Sequence, residues 1–338
     1  MARIALVHDV AGVAAVQARI LRAAGHEVDH IQLSDFGAKW GWAAKALTVP
    51  LRILLYLPVV RRLRRGRYDV IHIHWLPRGI VGLLAGRPFL IQAHGSDIHM
   101  EINTPGLFQL NRRVLEEART IFYVTPNLEP YIRRFDGKLC YLPNPIDVST
   151  VAPEPRSPQR VRSILVFTRL DPVKGVDRVF PALRQVVASG IEVTAIAWGP
   201  LTEELTARYG DVVRFVTPVA HEKLGAFLQE FDLVIGQMAQ GALGLSELEA
   251  MAAGRPLISG IDRDLYPGDK PPVVSSYSAE ELVEQIARLK DDARRLDNLF
   301  REGRAWVSRN HGFHRHLEIL ERAYFGTAAR DVEMPIAM

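Results

Sequence analysis

The stretch Ser163-Ile164-Leu165-Val166-Phe167-Thr168-Arg169-Leu170-Asp171-Pro172-Val173-Lys174-Gly175-Val176 decides the fold. A short apolar run ends in a polar turn, a glycine follows, and a helical pattern opens over Val176 to Val187. Strand, turn and helix in that order are the first part of a βαβ unit, because parallel strands need a helical crossover. The signature recurs on both sides. Upstream, Arg3–Val7, Glu27–Gln32, Val70–His74, Phe89–Ala93 and Ile121–Thr125 read as strands. Val13–Ala24, stopped by Gly25, and Leu107–Ala118 read as helices. Downstream, Val193–Ala197, Leu233–Gly236 and Pro256–Ser259 read as strands. They alternate with helices over His221–Phe231, Leu245–Ala253 and Ala279–Leu289, and His316–Tyr324 closes the series. Such alternation predicts an α/β protein built on parallel sheets.

Between the two series lies Val151-Ala152-Pro153-Glu154-Pro155-Arg156-Ser157-Pro158, whose three prolines predict a stiff linker. Two domains also follow from 338 residues at roughly 150 per domain. With 48% apolar and 24% charged residues, the chain is neither collagen, coiled coil nor disordered. Its single cysteine, Cys140, permits no internal disulfide and no Cys-based zinc site. Lying in Lys138-Leu139-Cys140-Tyr141-Leu142, it reads as a buried structural thiol in a reducing compartment. The apolar run Ile53–Val60 is bounded by Arg52 and Arg61, holds Pro58, and is too short to span a bilayer. The N-terminus turns polar too soon for a signal peptide, so a cytoplasmic protein is expected. Residues 1–150 carry 19 Lys and Arg against 12 Asp and Glu, a net +7, and residues 151–338 carry 23 against 26, a net −3. A basic first half points to an anionic partner there. Nucleic acid is not expected, because no binding motif accompanies the basic excess.

Ligands of open α/β sheets bind beyond the carboxyl ends of the strands, and the candidate chemistry sits in those loops. Arg169 and Lys174 lie between a strand and the helix opened by Gly175, where two cations and helix N–H groups suit a diphosphate. Gly241-Ala242-Leu243-Gly244-Leu245 starts another helix, one turn into which Glu249 could accept bonds from ribose hydroxyls. Glu247 beside it reads as a solvated surface charge. At the end of another strand, His94-Gly95-Ser96-Asp97 either reaches a ligand or, through Ser96 or Asp97, caps the next turn. Trp40, Trp42, Leu51–Leu57 and the arginines 61, 62, 64, 65 and 67 read either as a core-packed helix with a solvated basic end or as a face for anionic membrane. The core-packed helix is the expectation.

Taken in order, Asp69-Val70-Ile71-His72-Ile73-His74, His94-Gly95-Ser96-Asp97, Pro143-Asn144-Pro145-Ile146-Asp147, Arg169 to Gly175, Gly199-Pro200 and Glu249 to Pro256 resemble glycosyltransferase family 4 over nearly the whole chain. The resemblance implies the GT-B fold, two Rossmann-like domains facing a cleft. It implies an acceptor domain over 1–150, a nucleotide-sugar domain over 160–305, and a C-terminal helix within 306–326 that crosses back to the first domain. It also implies a retaining, metal-independent hexosyl transfer with no cofactor, the nucleotide-sugar being a substrate; a UDP-sugar is favoured over GDP-mannose. By similarity, Arg169 and Lys174 grip the diphosphate and stabilise the leaving group, His94 sits by the donor sugar, and Glu249 meets the ribose. Gly12, Gly244, Leu245, Val219, Asp97 and Gln237 complete the donor site. Val219 belongs to the backbone 216–219 that would meet the base, and Gly12 only partly matches the family's Gly-Gly loop. Many members carry a second glutamate eight residues before the first, where this chain has Gly241. The acceptor stays open between a saccharide, a lipid-linked sugar and a small molecule, and an anionic membrane surface is a further partner. A nucleotide-sugar epimerase or phosphorylase and a non-catalytic sugar-nucleotide-binding protein are the alternatives. A dehydrogenase is not expected, because no Gly-x-Gly-x-x-Gly follows the first strand.

Overall fold

The computed structural model describes residues 1–37, 40, 47–99, 107–152, 154–266 and 268–326. The chain divides into two compact units, Met1–Pro145 with Phe313–Met338, and Ile146–Gly312.

The first unit is built on six parallel strands, β1 (Arg3–Val7), β2 (Glu27–Ile31), β3 (Val70–His74), β4 (Leu90–Ala93), β5 (Thr120–Tyr123) and β6 (Leu139–Tyr141), in the order β2-β1-β3-β4-β5-β6. Both faces are covered, which is why the strands are near-continuous apolar runs rather than alternating ones. Helix α1 (Val13–Ala23) and the last helix, Phe313–Phe325, bury Ile20, Leu21, Leu317, Leu320 and Tyr324 against Ile4 and Leu6. On the other face, α2 (Val49–Arg65), α3 (Ile80–Ala85) and α4 (Phe108–Glu117) pack Leu63, Val81 and Val114 among Ala5, Ile71, Ile73 and Ile91. Cys140 is half-buried in β6, and burial pushes its thiol up to about 11, as expected of an unreactive thiol.

The second unit repeats the plan with β7 (Ser163–Val166), β8 (Glu192–Ile196), β9 (Arg214–Val216), β10 (Leu233–Ile235), β11 (Leu257–Ser259) and β12 (Val274–Ser275), ordered β12-β11-β10-β7-β8-β9 and all parallel. Its helices are α5 (Val176–Ala188), α6 (Thr202–Tyr209), α7 (His221–Leu228), α8 (Leu245–Ala252), α9 (Ala279–Leu289) and α10 (Ala293–His311). The final helix, Phe313–Phe325, is α11.

The structure departs from the sequence reading in two places, the C-terminal helix and α2. The proline-rich run, read as a stiff linker, is also packed against the second unit. Ala152 and Pro158 are buried, Val151 packs on the second core, and the Arg156 N–H donates to Gln229 Oε1 at 3.1 Å. Residues 306–311 belong to α10 in the second unit, and the chain enters the first unit only after Gly312, whose extended ψ of 155° ends that helix. Helix α2 is not core-packed along its length: only Tyr56, Val60 and Leu63 are buried, and Val59 packs partly against the same core, whereas Leu51, Leu54 and Leu55 are exposed. Of the aromatic residues in that reading, Trp42 lies outside the described residues.

Candidate active site

A parallel sheet opens a crevice where its strand order reverses, because the two loops leaving the carboxyl ends there diverge to opposite faces. In the second unit that point lies between β7 and β10, and the sequence candidates meet at it. The loop after β7 carries Arg169, Asp171 and Lys174; the loop after β10 carries Gln237 to Gly244. The Lys174 ammonium donates to Gln240 Oε1 at 2.6 Å, and the Met238 N–H donates to the Lys174 carbonyl at 2.8 Å, so each loop holds the other. Burial is the main effect on Lys174 and lowers its pKa from the ordinary lysine value; neighbouring Arg169 acts in the same direction, opposed by Glu247 and Asp171. Arg169 is more open, with its side chain 40% exposed and paired to Asp171 at 2.7 Å. No side chain caps α5, which begins behind Gly175 at φ 70°. A Cβ at Gly175 would lie 3.0 Å from the Met238 carbonyl carbon, so glycine is what lets the loops approach. The loop after β8 joins them: Trp198 Nε1 donates to the Thr168 carbonyl at 3.1 Å, and Gly199 is pressed on Leu170.

Two candidates take different roles from those expected. Glu247 is buried, only 3% exposed, and is not a solvated surface charge. Its carboxylate accepts the N–H groups of Gln237 at 2.9 Å and Gly244 at 3.0 Å, so from the third helical position it reaches back to the start of α8, whose N-cap glycine has no side chain to return the bond. Gln237, expected to meet the donor, is fully buried. Its amide donates to the carbonyls of Ala242 and Gly260 and accepts from the N–H groups of Ala239 and Gln240, so all of its hydrogen-bonding groups brace the loop. Gly244 and Leu245 open α8, with Glu249 one turn on. Burial raises the Glu249 carboxyl, opposed by the exposed His221, whose Nε2 lies 3.1 Å from Glu249 Oε1. Val219 is half-buried in the loop after β9.

In the first unit the order reverses between β1 and β3. The loops after these strands line a cavity of about 540 Å³, with His8, Asp9 and Ala11 from one and Trp75 and Arg78 from the other. Ile53 and Tyr56 of α2 and Leu107 and Leu110 add an apolar wall, and Arg52 of α2 adds a guanidinium. Among the described residues, the non-glycine residues with positive φ are His8 (68°), Ala11 (52°) and Trp75 (75°), and all three line this cavity. Such backbone costs free energy and clusters where a ligand is held. Gly12 opens α1 at φ 77°, but the first helical N–H groups are already engaged: Asp9 accepts from Ala14 at 3.0 Å and Ala15 at 3.3 Å.

His94 follows β4 and is half-buried, with Nε2 3.0 Å from His74 Nδ1. Burial pushes its pKa down to about 3, so it is neutral at physiological pH. Asp97 is the loop cap, not a group open to a sugar. It is fully buried, its Oδ1 accepts from the N–H groups of His94, Gly95 and Ile98, and its Oδ2 accepts from Leu76. The sequence reading missed His74, Trp75, Gln240 and His221 as parts of these sites. Only His74 carried a local signal, since His72, His74, Gln92 and His94 share the period of two that puts residues on one sheet face.

Residues 10–145 match the glycosyl transferase 4-like domain, and residues 161–292 match the glycosyl transferases group 1 domain. The chain belongs to the family 4 glycosyltransferases. Among curated members, a D-inositol 3-phosphate glycosyltransferase of a Nocardioides strain is 24% identical over 284 residues, covering 69% of this chain and 62% of that protein. The Pseudarthrobacter chlorophenolicus protein of the same name is 26% identical over 315 residues, covering 80% and 74%. The match thus leaves more than a third of the Nocardioides protein uncovered. Among solved structures, Anabaena HepE in complex with UDP-glucose superposes with a TM-score of 0.71 at 14% identity, covering 95% of this chain and 99% of HepE. Sucrose-phosphate synthase from Thermosynechococcus elongatus gives 0.72 at 19%, covering 95% and 97%. The chain therefore has the GT-B fold.

Proposed function

We propose that the protein transfers a hexose from a nucleotide-sugar to an acceptor hydroxyl with retention of configuration, using the β7/β10 loops for the donor diphosphate. The observation that carries this reading is the half-buried Lys174 ammonium, tied to Gln240 and lying near Arg169 at the point where the strand order reverses. A departing nucleoside diphosphate gathers negative charge, and preorganised cations there stabilise it more than they stabilise the ground state. The diphosphate can itself take the acceptor's proton, so the proposed mechanism needs no separate base on the protein. Glu249 receives the ribose hydroxyls, the backbone near Val219 the base, and His94 the donor sugar. UDP-sugars are favoured over GDP-mannose. The acceptor occupies the 540 Å³ cavity of the first unit. A thermal-shift panel of UDP, GDP and ADP tests the donor site: a ligand at a hundred times its Kd stabilises by about 2.7 kcal/mol. UDP is expected to raise the melting temperature most, and no shift with any diphosphate would remove the reading.

A second observation concerns partners. No described helix is long and apolar enough to cross a membrane. Helix α2 and the residue before its cap nevertheless expose Leu47, Val49, Leu51, Leu54 and Leu55, and its other end exposes Arg61, Arg62, Arg64 and Arg65. Apolar bulk beside a basic cluster suits the surface of an anionic bilayer, and Val49 and Ile53 of the same helix line the acceptor cavity. This favours a peripheral protein with a lipid-linked acceptor. Co-sedimentation with phosphatidylglycerol liposomes at low salt checks it; absence of binding rules it out.

A further inference from the structure

Inside the first unit, four aromatic side chains form one column on the sheet face covered by α1 and α11. The Tyr324 hydroxyl of α11 lies 2.6 Å from His72 Nδ1. The rings of His72 and His74 stack at 4.7 Å and 16°, and those of His74 and His94 at 5.2 Å and 27°. His74 Nδ1 and His94 Nε2 are 3.0 Å apart. His72, His74 and Tyr324 are buried, whereas His94 at the end of the column is half-buried. Of these four, the sequence reading named only His94 as a site residue.

Two neutral imidazoles joined by one hydrogen bond cannot choose their tautomers independently, because one nitrogen gives the proton and the other accepts it. Among the described residues, His74 Nε2 is buried with no hydrogen-bond partner. That nitrogen is either an N–H without an acceptor or a lone pair without a donor, and orphaned buried N–H groups are the rarer of the two. The proton of His74 therefore belongs on Nδ1, from which it is donated to His94 Nε2. His94 Nε2 is then an acceptor, and the proton of neutral His94 is on its Nδ1.

We infer that His74 is a positioning residue: by donating from Nδ1 to His94 Nε2 inside a fixed ring stack, it sets both the orientation and the tautomer of His94, so that His94 offers an Nδ1–H donor to an oxygen of the transferred sugar. The part concerning the sugar rests on the proposed function; the tautomer does not. The stack also ties His94 through His72 to Tyr324, which makes α11 a support for this side chain as well as for the core.

The test uses the full chain with histidine labelled with nitrogen-15, read by ring-nitrogen chemical shifts near neutral pH. The wild-type protein is expected to show His94 protonated at Nδ1, with Nε2 in the range of a hydrogen-bonded acceptor. His74→Asn, whose amide N–H falls where Nδ1 was, is expected to keep that tautomer, and His74→Leu to lose it. A wild-type spectrum with His94 protonated at Nε2 overturns the inference without any variant having to fold. Hydrolysis of UDP-glucose, UDP-N-acetylglucosamine and GDP-mannose supplies the second readout, using whichever is turned over. His74→Leu is expected to lower kcat/KM about tenfold, the scale known for outer partners of ligating histidines, with UDP affinity unchanged and recovery in His74→Asn. In a His94→Ala background the same substitution is expected to add nothing. If His94→Ala alone leaves turnover intact, the placement of His94 at the sugar fails. If His94→Ala is impaired while His74→Leu is not, the positioning role fails.

Discussion

The two units open their first helices in the same way and use the opening differently. In both, a strand leads through a short loop to a glycine in the left-handed region, Gly12 at φ 77° and Gly175 at φ 70°. In the first unit, Asp9 supplies a negative charge of the protein's own and takes the Ala14 and Ala15 N–H groups. In the second, no side chain caps the helix, and Arg169 and Lys174 stand in the loop. One helix terminus is thus already satisfied by a carboxylate, whereas the other has no side-chain cap and two cations in the loop before it, the arrangement on which the proposed donor site rests. A shared fold element does not carry a shared function; the side chains within a few residues of it decide.

That contrast can be broken most sharply at Lys174. Lys174→Ala is expected to lower kcat/KM by about 10²-fold or more, the scale of losing one preorganised stabilising donor, with little change in melting temperature. Steady-state kinetics with the donor checks it, and near-normal turnover would undo the distinction between the loops. Glu247→Ala comes next, because it strands the Gln237 and Gly244 N–H groups. A loss of about 1–3 kcal/mol in urea unfolding is expected; a solvated Glu247 would give almost none.

The third test concerns the histidines of the first unit. Burial pushes His72 down to about 3, below its value in the unfolded chain, so the unfolded chain binds the extra proton between these values. The stability this group contributes is full above about pH 6.5 and is lost as pH falls toward 3, at up to about 1.4 kcal/mol per pH unit. Denaturant midpoints at pH 7, 6 and 5 should fall progressively, and less in His72→Phe; a flat profile contradicts a neutral buried His72. The smallest effect compares the glycines. Gly12→Ala meets no atom within 4 Å and should cost about 1–2 kcal/mol, from left-handed backbone alone. Gly175→Ala should cost more, because its Cβ would also crowd Met238 and Ala239. Equal costs in thermal melts would mean that the loops of the second unit are not tightly apposed.

Strand and helix positions were legible where apolar runs were long and flanked by turn residues. Arg3–Val7, Val70–His74 and Ala279–Leu289 match their predicted bounds. The reading missed β6, β9, β12, α3, α6 and α10: the three strands have only 3, 3 and 2 residues, too few to show a period, the helices α3 and α6 have only 6 and 8 residues, and α10 interleaves its buried Leu296, Trp306 and Val307 with charged residues. Among the candidate site residues, Arg169, Lys174 and Glu249 announced themselves because charges in a loop after a strand, or one turn into a helix, have few structural uses. Asp97, Gln237 and Glu247 had no such signature. A carboxylate or amide beside a glycine-rich turn looks the same in sequence whether it faces a ligand or holds the turn's own N–H groups.

Local order along the chain was enough to specify two α/β halves, their helix openings and the cations of the second, because periodicity and turn chemistry act over a few residues. Which polar groups were left over for a ligand was settled only by folding. Hydrogen bonds between residues far apart in sequence, such as Lys174 to Gln240, His74 to His94 and His72 to Tyr324, depend on which strands become neighbours and which helix returns to cover them.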